Sequence, residues 1–445
     1  MGEPTPNILF LFTDDQRFDT IRALGNEDVI TPNMDRLVGE GTSFTEASIM
    51  GGTSGAVCMP SRAMMMTGRT LFHLEGEGRS IPDGHVMMPE ALRDCGYRTF
   101  GTGKWHNGRP AFARGFDEGD RIFFGGMSDH FKVPLNPFDG SGIYPEDRIY
   151  HEEKSHSSDL FSGAAIDFIR SYDRQDPFYA YVSFTAPHDP RDTHPEFHAM
   201  YDASSLNLSP NCYANHPFDN GELKIRDEML APFPRSPEVV REHLAAYYAM
   251  ISHIDRQVGD LLTALEETGR LENTIIVFAG DNGLAVGQHG LMGKQNLYEH
   301  SVRVPLVFRG PGIPQGERRS AYCYLIDIFP TLLDLIGVTV PESVEGMSLV
   351  GSMADESDRV RDTLLYAYKG LHRSAKRGDH KLIEYSVEGM RTAQLFDLSV
   401  DPWEMENLID DPERTDVIEM LRKEMRRWQT ELDDSTDFWD SDVQS

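Results

Sequence analysis

The sequence predicts an α/β fold in which helices flank a mainly parallel central sheet and a smaller α+β subdomain follows. Short runs of β-branched and aromatic residues alternate with helical patterns over most of the chain, which is typical of parallel sheets buried on both faces. After about Gly346 the pattern changes to closely spaced short strands and a final helix. We therefore expect a main domain over residues 1–345 and a C-terminal subdomain over residues 346–445.

Five short segments have the composition of buried strands, and we predict that they run parallel in the central sheet. Their lengths fit strands better than helices, which usually need about ten or more residues. They are Ile8–Phe12, Tyr97–Phe100, Phe178–Phe184, Thr274–Ala279 and Leu306–Phe308.

The clearest helical pattern covers Glu238–Thr268. Apolar side chains recur there every three or four residues, which places them on one face of a helix. Gly269 follows where a helix C-cap belongs. The stretches Asp117–His156 and His188–Pro237 carry few periodic signals, and we predict that they form long loops of the kind that often hold substrate.

The predicted subdomain contains three short antiparallel strands and one helix. The strands are Thr363–Tyr368, Lys381–Tyr385 and Ala393–Leu398. The helix follows them and presents one apolar face. That face carries Ile418, Leu421, Met425, Trp428 and Leu432.

The charge of the chain limits its partners. It carries 42 Lys and Arg against 72 Asp and Glu, a formal net charge of −30. So acidic a chain is not expected to bind nucleic acid or an anionic membrane surface. No apolar stretch approaches the roughly 18 residues of a membrane span. A site for an anionic ligand would have to concentrate Lys, Arg and His locally.

The four cysteines are scattered and form no CxxC pair, so they predict neither a disulfide framework nor a zinc cluster. The first residues lack a basic segment followed by an apolar stretch and a cleavage site. We therefore expect a chain that is either cytoplasmic or already stripped of a leader.

Polar residues follow four of the predicted strands. In open α/β sheets, ligands bind beyond the carboxyl ends of the strands, so these side chains are expected to meet at one edge. They comprise carboxylates, a carboxamide, a lysine and two histidines. They are Asp14, Asp15, Lys104, His106, His188, Asp281 and Asn282.

Four of these residues offer hard oxygen ligands. The oxygens of Asp14, Asp15, Asp281 and Asn282 suit Ca²⁺ or Mg²⁺ better than zinc or copper. Adjacent carboxylates repel one another unless a cation or basic side chains neutralise them. The alternative is that the acids cap a helix at Arg17–Leu24 and form an ordinary turn.

Cys58 lies in the segment Ala56–Arg62, which reads Ala-Val-Cys-Met-Pro-Ser-Arg. Considered alone, such a cysteine is usually a small buried apolar residue. The pattern Cys-x-Pro-Ser-Arg, however, resembles the signature of the formylglycine-dependent sulfatases of the alkaline phosphatase superfamily, in which this cysteine is oxidised to an aldehyde. The segment Gly96–His106 resembles the second signature of that family.

Further motifs of the same family follow in order along nearly the whole chain. The resemblance implies an alkaline-phosphatase-like fold, with a catalytic domain over residues 1–345 and a subdomain over residues 346–445. It also implies hydrolysis of sulfate esters. The remaining motifs are Asp14-Asp15, Pro187-His188, Asp281-Asn282-Gly283 and Lys294.

The resemblance further implies a metal ion and a nucleophile. The cation would be Ca²⁺, with Mg²⁺ as the alternative. A formylglycine-generating enzyme would convert the cysteine to an aldehyde, whose hydrate attacks sulfur through one oxygen. The residues that would hold the metal are Asp14, Asp15, Cys58, Asp281 and Asn282.

Five more residues take catalytic roles by the same resemblance. Arg62 and Lys104 would steady the formylglycine hydroxyls and the carboxylates that bind the metal. Lys104, His188 and Lys294 would bind the sulfate oxygens, where fixed donors meet growing negative charge. His188 or Lys294 would protonate the leaving alcohol. His106 would deprotonate the second hydroxyl, so that sulfate leaves and the aldehyde returns.

Residues outside the sulfate pocket would contact the rest of the substrate. Arg191 is one candidate because an arginine fork suits a second anionic group such as a carboxylate. His194 is another. His289 could shape the site or be structural, and Arg303 is interpreted as a structural charge partner. The remaining candidates, equally compatible with loop charges on an acidic surface, are Arg109, His198, His216 and Arg226.

We expect the substrate to be a sulfated carbohydrate, such as a 2-O-sulfated uronic acid. The segment Pro187–Pro190 resembles choline sulfatases as well as carbohydrate sulfatases, but the loops lack the Trp and Tyr cluster of an aromatic cage. Three alternatives remain. They are a choline or aryl sulfatase, a phosphonate monoester or phosphodiester hydrolase of the same superfamily, and a non-catalytic homologue that binds sulfated glycans with Cys58 as a thiol.

Overall fold

In a computed structural model, which describes residues 5–439, the chain forms a large central sheet, a second sheet and a pair of very short strands. The strands are β1 (Asn7–Thr13), β2 (Gly41–Phe44), β3 (Ala47–Ser48), β4 (Gly51–Gly52), β5 (Arg98–Lys104), β6 (Glu118–Phe123), β7 (Phe178–Ser183), β8 (Thr274–Gly280), β9 (Leu306–Arg309), β10 (Glu317–Arg319), β11 (Cys323–Tyr324), β12 (Thr363–Tyr368), β13 (His372–Arg377), β14 (His380–Val387) and β15 (Met390–Asp397).

Helices pack on both faces of the central sheet. Among the described residues, none of them combines the length and apolar content that crossing a bilayer requires. They are α1 (Pro32–Gly39), α2 (Cys58–Thr67), α3 (Met88–Asp94), α4 (Arg109–Gly115), α5 (Ser157–Ser171), α6 (Pro195–His198), α7 (Pro237–Glu267), α8 (Glu299–Val302), α9 (Ile328–Leu335), α10 (Val350–Ala354) and α11 (Thr415–Glu431).

The central sheet has eight strands in the order β10-β2-β9-β8-β1-β7-β5-β6. Strands β8, β1, β7, β5 and β6 run parallel, which confirms the predicted α/β fold. Strand β9 pairs antiparallel with β8, so the prediction that Leu306–Phe308 runs parallel was wrong. A short apolar segment does not reveal its direction, because both arrangements bury similar side chains.

Strand β1 separates two hydrophobic cores. Ile8, Phe10 and Phe12 face the core that includes residues of α2, α3 and α9. Leu9 and Leu11 face the other core, formed largely by α1, α5 and α7. Because successive side chains of a strand point to opposite faces, a fully apolar strand is what a sheet covered on both sides requires.

Among the strands that were not predicted, β6 and β13 were missed because their sequences are polar. Strand β6 lies at the sheet edge within Asp117–His156, so that segment is not a continuous loop. Its first residues are only partly buried and show no apolar run. Strand β13 reads His-Arg-Ser-Ala-Lys-Arg, although most of it is buried. Ion pairs and hydrogen bonds, which composition does not display, offset the burial of these polar side chains.

The second sheet has five strands in the order β15-β14-β13-β12-β4, and α11 packs against it. Strands β12 to β15 are antiparallel, whereas β4 joins from the N-terminal part of the chain and pairs parallel with β12. A smaller C-terminal subdomain is thus confirmed. The boundary between residues 345 and 346 stays a prediction, because Gly51–Gly52 also contributes to this sheet.

A buried group of charges joins the subdomain to the main body. Glu299 accepts hydrogen bonds from Lys376 at 2.8 Å and Lys381 at 2.9 Å. All three side chains are at most 5% exposed. Burial raises the pKa of Glu299, but Lys376 and Lys381 outweigh it and hold that pKa well below its usual range.

We predict that Glu299→Gln destabilises the protein by about 3 kcal/mol, because it leaves two buried ammonium groups short of a counter-charge. Thermal and urea denaturation would measure the change. Glu267→Gln is the matched control, since Glu267 pairs with Arg170 on the exposed surface, and it should cost less than about 1 kcal/mol. Equal losses for both variants would contradict a special role for the buried group.

Candidate active site

The carboxyl ends of four neighbouring strands bring distant segments together. Thr13, the last residue of β1, pairs with Gly280 of β8, so Asp14 and Asp281 emerge side by side. Strand β7 follows on the other side of β1, and β5 lies beside β7. The order of the strands therefore brings together residues more than 260 positions apart, such as Asp15 and Asp281.

Three acids and one carboxamide line the centre of the site. The backbone N–H of Asp15 donates to Oδ1 of Asp281 at 3.0 Å, and Nδ2 of Asn282 donates to Oδ1 of Asp15 at 2.7 Å. All four side chains are almost fully buried. Oδ1 of Asp14 and Oδ1 of Asn282 are buried without a hydrogen-bond partner among the described residues.

The two strand-end acids have opposite electrostatic environments. Burial and the neighbouring Asp281 raise the pKa of Asp14 to about 6, despite the opposing effect of Lys104. Burial also acts to raise the pKa of Asp281, but Arg62 and two lysines outweigh it and lower that pKa to about 2. The negative charge of the site is thus balanced at Asp281 and poorly balanced at Asp14.

Three buried cations surround the acids. Nε of Arg62 donates to Oδ2 of Asp281 at 2.8 Å, and Nη1 donates to Oγ of Ser183 at 2.6 Å. Lys104 donates to Asp14, and Lys294 donates to Asp15. Charges this deeply buried persist only when paired, so the lysines are not the solvated surface groups that lysines usually are.

Cys58 is the first residue of α2 and is only 2% exposed. Its Sγ lies 3.6 Å from Nζ of Lys104 and 3.5 Å from Nδ1 of His106. Burial raises the pKa of the Cys58 thiol, while Lys104 and Lys294 act against that rise. A neutral thiol is a weak nucleophile, so this cysteine is not activated in the manner of a cysteine protease.

Two histidines flank the cluster. Burial and the nearby Lys104 and Arg62 lower the pKa of His106 to about 2, so its imidazole is neutral. His106 also adopts a left-handed backbone conformation, with φ at 74°. Nδ1 of His188 donates to its neighbour's backbone oxygen at 2.9 Å, and its Nε2 lies 3.6 Å from Oδ2 of Asp15.

The arrangement fits a hard divalent cation. Ligand atoms of Asp14, Cys58 and Asp281 all lie within 4.8 Å of one another, as do those of Asp14, Asp15 and His188. The unpartnered oxygens of Asp14 and Asn282 lie in the same group of residues. Buried oxygen atoms normally have a partner, and carboxylate and carboxamide oxygens are the ligands that Ca²⁺ and Mg²⁺ prefer.

The structure does not place every predicted residue in this group. Arg191 is partly buried, and its Nη1 lies 2.8 Å from Nδ1 of His243. Nε2 of His194 lies 2.7 Å from Oδ2 of Asp159, among residues of α5 and α7. The roles of Arg191 and His194 as substrate contacts stay predictions.

The other candidates make local contacts. His289 bonds the backbone oxygen of Glu404, and Arg303 bonds that of Thr45. The remaining four candidates also bond nearby groups. Arg109 bonds the backbone oxygen of Tyr144, and His216 bonds that of Phe218. His198 bonds the carboxylate of Asp192, and Arg226 bonds that of Asp189.

Three supporting residues were not predicted. Ser183, the last residue of β7, accepts a hydrogen bond from Arg62, and Ser61 donates to the backbone oxygen of Asp281. Tyr247 donates to the backbone oxygen of Asp15. Ser61 stands in the Cys58 motif, so its position was a usable signal. Tyr247 counted only as an apolar position of a helix, because periodicity does not identify the partner of a hydroxyl group.

The Sulfatase family model matches residues 6–338, and the model of the N-sulphoglucosamine sulphohydrolase C-terminal region matches residues 287–431. The chain is 30% identical to an arylsulfatase of Clostridium perfringens, over 94% of this chain and 93% of that protein. It is 31% identical to a choline-sulfatase of Rhizobium meliloti, over 92% of this chain and 83% of that protein. It is 27% identical to an N-acetylglucosamine-6-O-sulfatase of Bacteroides thetaiotaomicron, over 95% of this chain and 87% of that protein.

The fold also resembles solved structures. One of them is the structure of a protein in complex with its substrate D-glucosamine-2-N,6-O-disulfate. It superposes on this chain with a TM-score of 0.81, and the superposition covers 97% of this chain and 99% of that chain. The sequences are 24% identical, so this likeness shows the fold.

We predict opposite effects of two neutralising substitutions in the metal-free protein. Because the pKa of Asp14 is raised in the folded protein, ionisation of this carboxyl destabilises the fold. The stability that the protonated carboxyl contributes is fully present below about pH 4 and is lost as the pH rises through about 6. Asp14→Asn should therefore stabilise the protein at pH 8 by about 1–3 kcal/mol. Asp281→Asn should destabilise it, because Arg62 loses its buried partner.

Thermal denaturation with a chelator at pH 8 and pH 5 would measure both effects. The gain from Asp14→Asn should shrink at pH 5, where the wild-type carboxyl is itself largely protonated. A fall in melting temperature for both variants at pH 8 would contradict the charge distribution described above.

Proposed function

Because the chain belongs to the sulfatase family of the alkaline phosphatase superfamily and hydrolyses sulfate esters, we propose that it is a formylglycine-dependent enzyme that uses one Ca²⁺ ion and acts on a sulfated saccharide. The observation that carries this proposal is one convergence at the strand ends. Ligand atoms of Asp14, Cys58 and Asp281 lie within 4.8 Å of one another. One oxygen of Asp14 and one of Asn282 are buried with no hydrogen-bond partner in the described part of the chain.

Four residues would hold the cation, with residue 58 beside them. These are Asp14, Asp15, Asp281 and Asn282. When bound, the cation would neutralise the carboxylates and polarise the sulfate group towards attack. An aldehyde at position 58 would supply a hydrated carbon, one hydroxyl of which attacks sulfur. The thiol that the sequence encodes is buried with a raised pKa, so oxidation provides a better nucleophile than the cysteine itself.

Two lysines supply positive charge at the reacting group. Nζ of Lys104 lies 3.6 Å from Sγ of Cys58 and also donates to Asp14. The carboxylate of Asp15 keeps the pKa of Lys294 well above its usual value, although burial opposes this. The ammonium group of Lys294 therefore remains charged, and charge that develops on the sulfate oxygens meets donors already in place.

The two histidines suit opposite proton transfers. His106 is neutral, and its Nδ1 lies 3.5 Å from the atom of residue 58 that the oxygen would replace. From this position it would accept a proton from the remaining hydroxyl when sulfate is expelled. His188, with Nε2 3.6 Å from Asp15, is placed on the metal side, where it or Lys294 would protonate the departing alcohol.

The burial of Cys58 bears on its maturation. At 2% exposure, the side chain is out of reach of a second enzyme in the folded protein. A formylglycine-generating enzyme would therefore act before this part of the chain folds, or after α2 opens locally. The modification is expected to be set during synthesis and not altered later.

We predict that Cys58→Ala lowers turnover of an aryl sulfate by more than roughly 1,000-fold, since a missing nucleophile is not replaced by binding alone. In active wild-type protein, the Cys58 peptide should have lost H₂S and gained one oxygen atom by mass spectrometry. Cys95 is exposed, so Cys95→Ala is the control and should retain activity. Full activity with an unmodified Cys58 thiol would refute the proposal. Faster turnover of a matched aryl phosphonate than of the aryl sulfate would favour the alternative that the protein is a phosphonate monoester hydrolase.

A second anionic group on the substrate would suit Arg191. Its Nε and Nη2 are buried without a hydrogen-bond partner among the described residues. Asp189, an acid close to Arg191 in the loop, already pairs with both terminal nitrogens of Arg226. An unpaired buried N–H group costs about 1–3 kcal/mol, which a bound carboxylate would recover. This supports a sulfated uronic acid, while the choline-sulfatase likeness makes choline sulfate the compound to test against it.

We predict that Arg191→Gln lowers kcat/KM for a 2-O-sulfated uronic acid saccharide by about 10- to 100-fold, the value of a charged hydrogen bond. Turnover of an aryl sulfate, which lacks the carboxylate, should change little. Arg109→Gln is the control, because Arg109 lies over the ring of Phe124 and bonds a backbone oxygen. Hydrolysis of choline sulfate without hydrolysis of any sulfated saccharide would show that the proposed substrate is wrong.

A further inference from the structure

A second group of potential metal ligands lies outside the strand-end site. Asp159 is in the first turn of α5, His194 immediately precedes α6, and His253 lies in the middle of α7. Oδ1 of Asp159 is 2.7 Å from Nε2 of His253, and Oδ2 is 2.7 Å from Nε2 of His194. We propose that these three residues bind a transition-metal ion such as Zn²⁺.

The chemistry of the ligands separates this group from the calcium-type site. Two imidazole nitrogens and one carboxylate form a donor set typical of zinc and related ions, whereas the strand-end site offers mainly oxygen. Zinc–ligand bonds of about 2.0–2.2 Å place tetrahedral ligand atoms slightly more than 3 Å apart. All three ligand atoms lie within 4.8 Å of one another, so small side-chain rotations would complete the geometry.

The group is fixed on one side and accessible on the other. His253 is 1% exposed, and its ring stacks on Phe197 with centroids 4.5 Å apart. Asp159 and His194 are about one-third exposed and line a cavity of 470 Å³ that also includes Glu196. A cation could therefore enter from solvent, and water from the cavity could complete its coordination.

Further contacts orient the ligands in the way that metal sites require. Nδ1 of His253 lies 2.8 Å from Oγ1 of Thr193, which leaves Nε2 directed at Asp159. Nε2 of Gln257 donates to Oδ1 of Asp159 at 3.0 Å. Partners of this kind set the tautomer and direction of metal-binding side chains, and their loss typically weakens metal affinity by about 10- to 100-fold.

The metal would tie the loop that carries His188 to two long helices. His194 lies six residues after His188, and Asp159 and His253 belong to α5 and α7. The loop already contacts neighbouring histidines: His130 bonds the backbone oxygen of His188 at 2.9 Å. A bound ion would make these contacts harder to break, so its role is to stabilise the loop. This inference does not depend on the sulfatase mechanism.

Titration of the full-length protein in saturating Ca²⁺ with Co²⁺ or Zn²⁺ tests the proposal. Calorimetry and the visible absorption of Co²⁺ would report the site. We expect His194→Asn to weaken binding by at least about tenfold. His198→Asn is the matched control, because His198 ends the short helix that His194 precedes but pairs with Asp192, and it should bind as wild type does.

A second measurement keeps the test decisive if a variant folds poorly. Zn²⁺ should raise the melting temperature of the wild type and of His198→Asn, but not of His194→Asn or Asp159→Asn. The proposal is overturned if the wild type binds no ion beyond those at the strand ends. It is also overturned if His194→Asn binds as tightly as wild type, since Asp159 then only bridges two imidazoles by hydrogen bonds.

Discussion

The structure depends on a balance between buried acids and buried cations at the end of the central sheet. Parallel neighbouring strands bring Asp14 and Asp281 together, and in a low-dielectric interior this would be prohibitively unfavourable without compensation. Arg62, Lys104 and Lys294 provide that compensation, yet one oxygen of Asp14 and one of Asn282 have no hydrogen-bond partner within residues 5–439. The fold therefore keeps three carboxylates and three cations buried together, with oxygen atoms left over that the proposed metal ion would use.

The sequence predicted the centre of the fold well and its edges poorly. Strands β1, β7 and β8 are buried on both faces, and such strands must be uniformly apolar. Strand β6 can be polar because it lies at an edge of the central sheet, where its side chains are partly exposed. Strand β13 can be polar because ion pairs such as Lys376 with Glu46 compensate for the burial of its charged side chains. The direction of β9 depends on its partner, and no property of Leu306–Arg309 itself encodes it.

The same distinction applies to the sites. The residues around Cys58 are identifiable because they follow predicted strands or stand in contiguous motifs such as Ala56–Arg62. By contrast, Asp159, His194 and His253 come from three separated segments, and no spacing in the sequence relates them. Only the packing of α5 against α7, with the intervening loop laid across both, brings the three together. Sites assembled this way become visible only once tertiary structure is known.

The short strand β4 has a consequence for the order of events during translation. Gly51–Gly52 lies six residues before Cys58, and it pairs with β12, in which Gly51 is opposite Ala367. A Cβ atom at Gly51 would lie 2.0 Å from the backbone oxygen of Ala367, so the two strands approach as closely as glycine permits. The ribosome must add roughly 310 residues after position 58 before this pairing can form, which takes about 15–60 s at ordinary elongation rates. Until then the segment before residue 58 lacks its partner strand, and the nascent chain would offer the proposed modifying enzyme an interval that the finished protein would not.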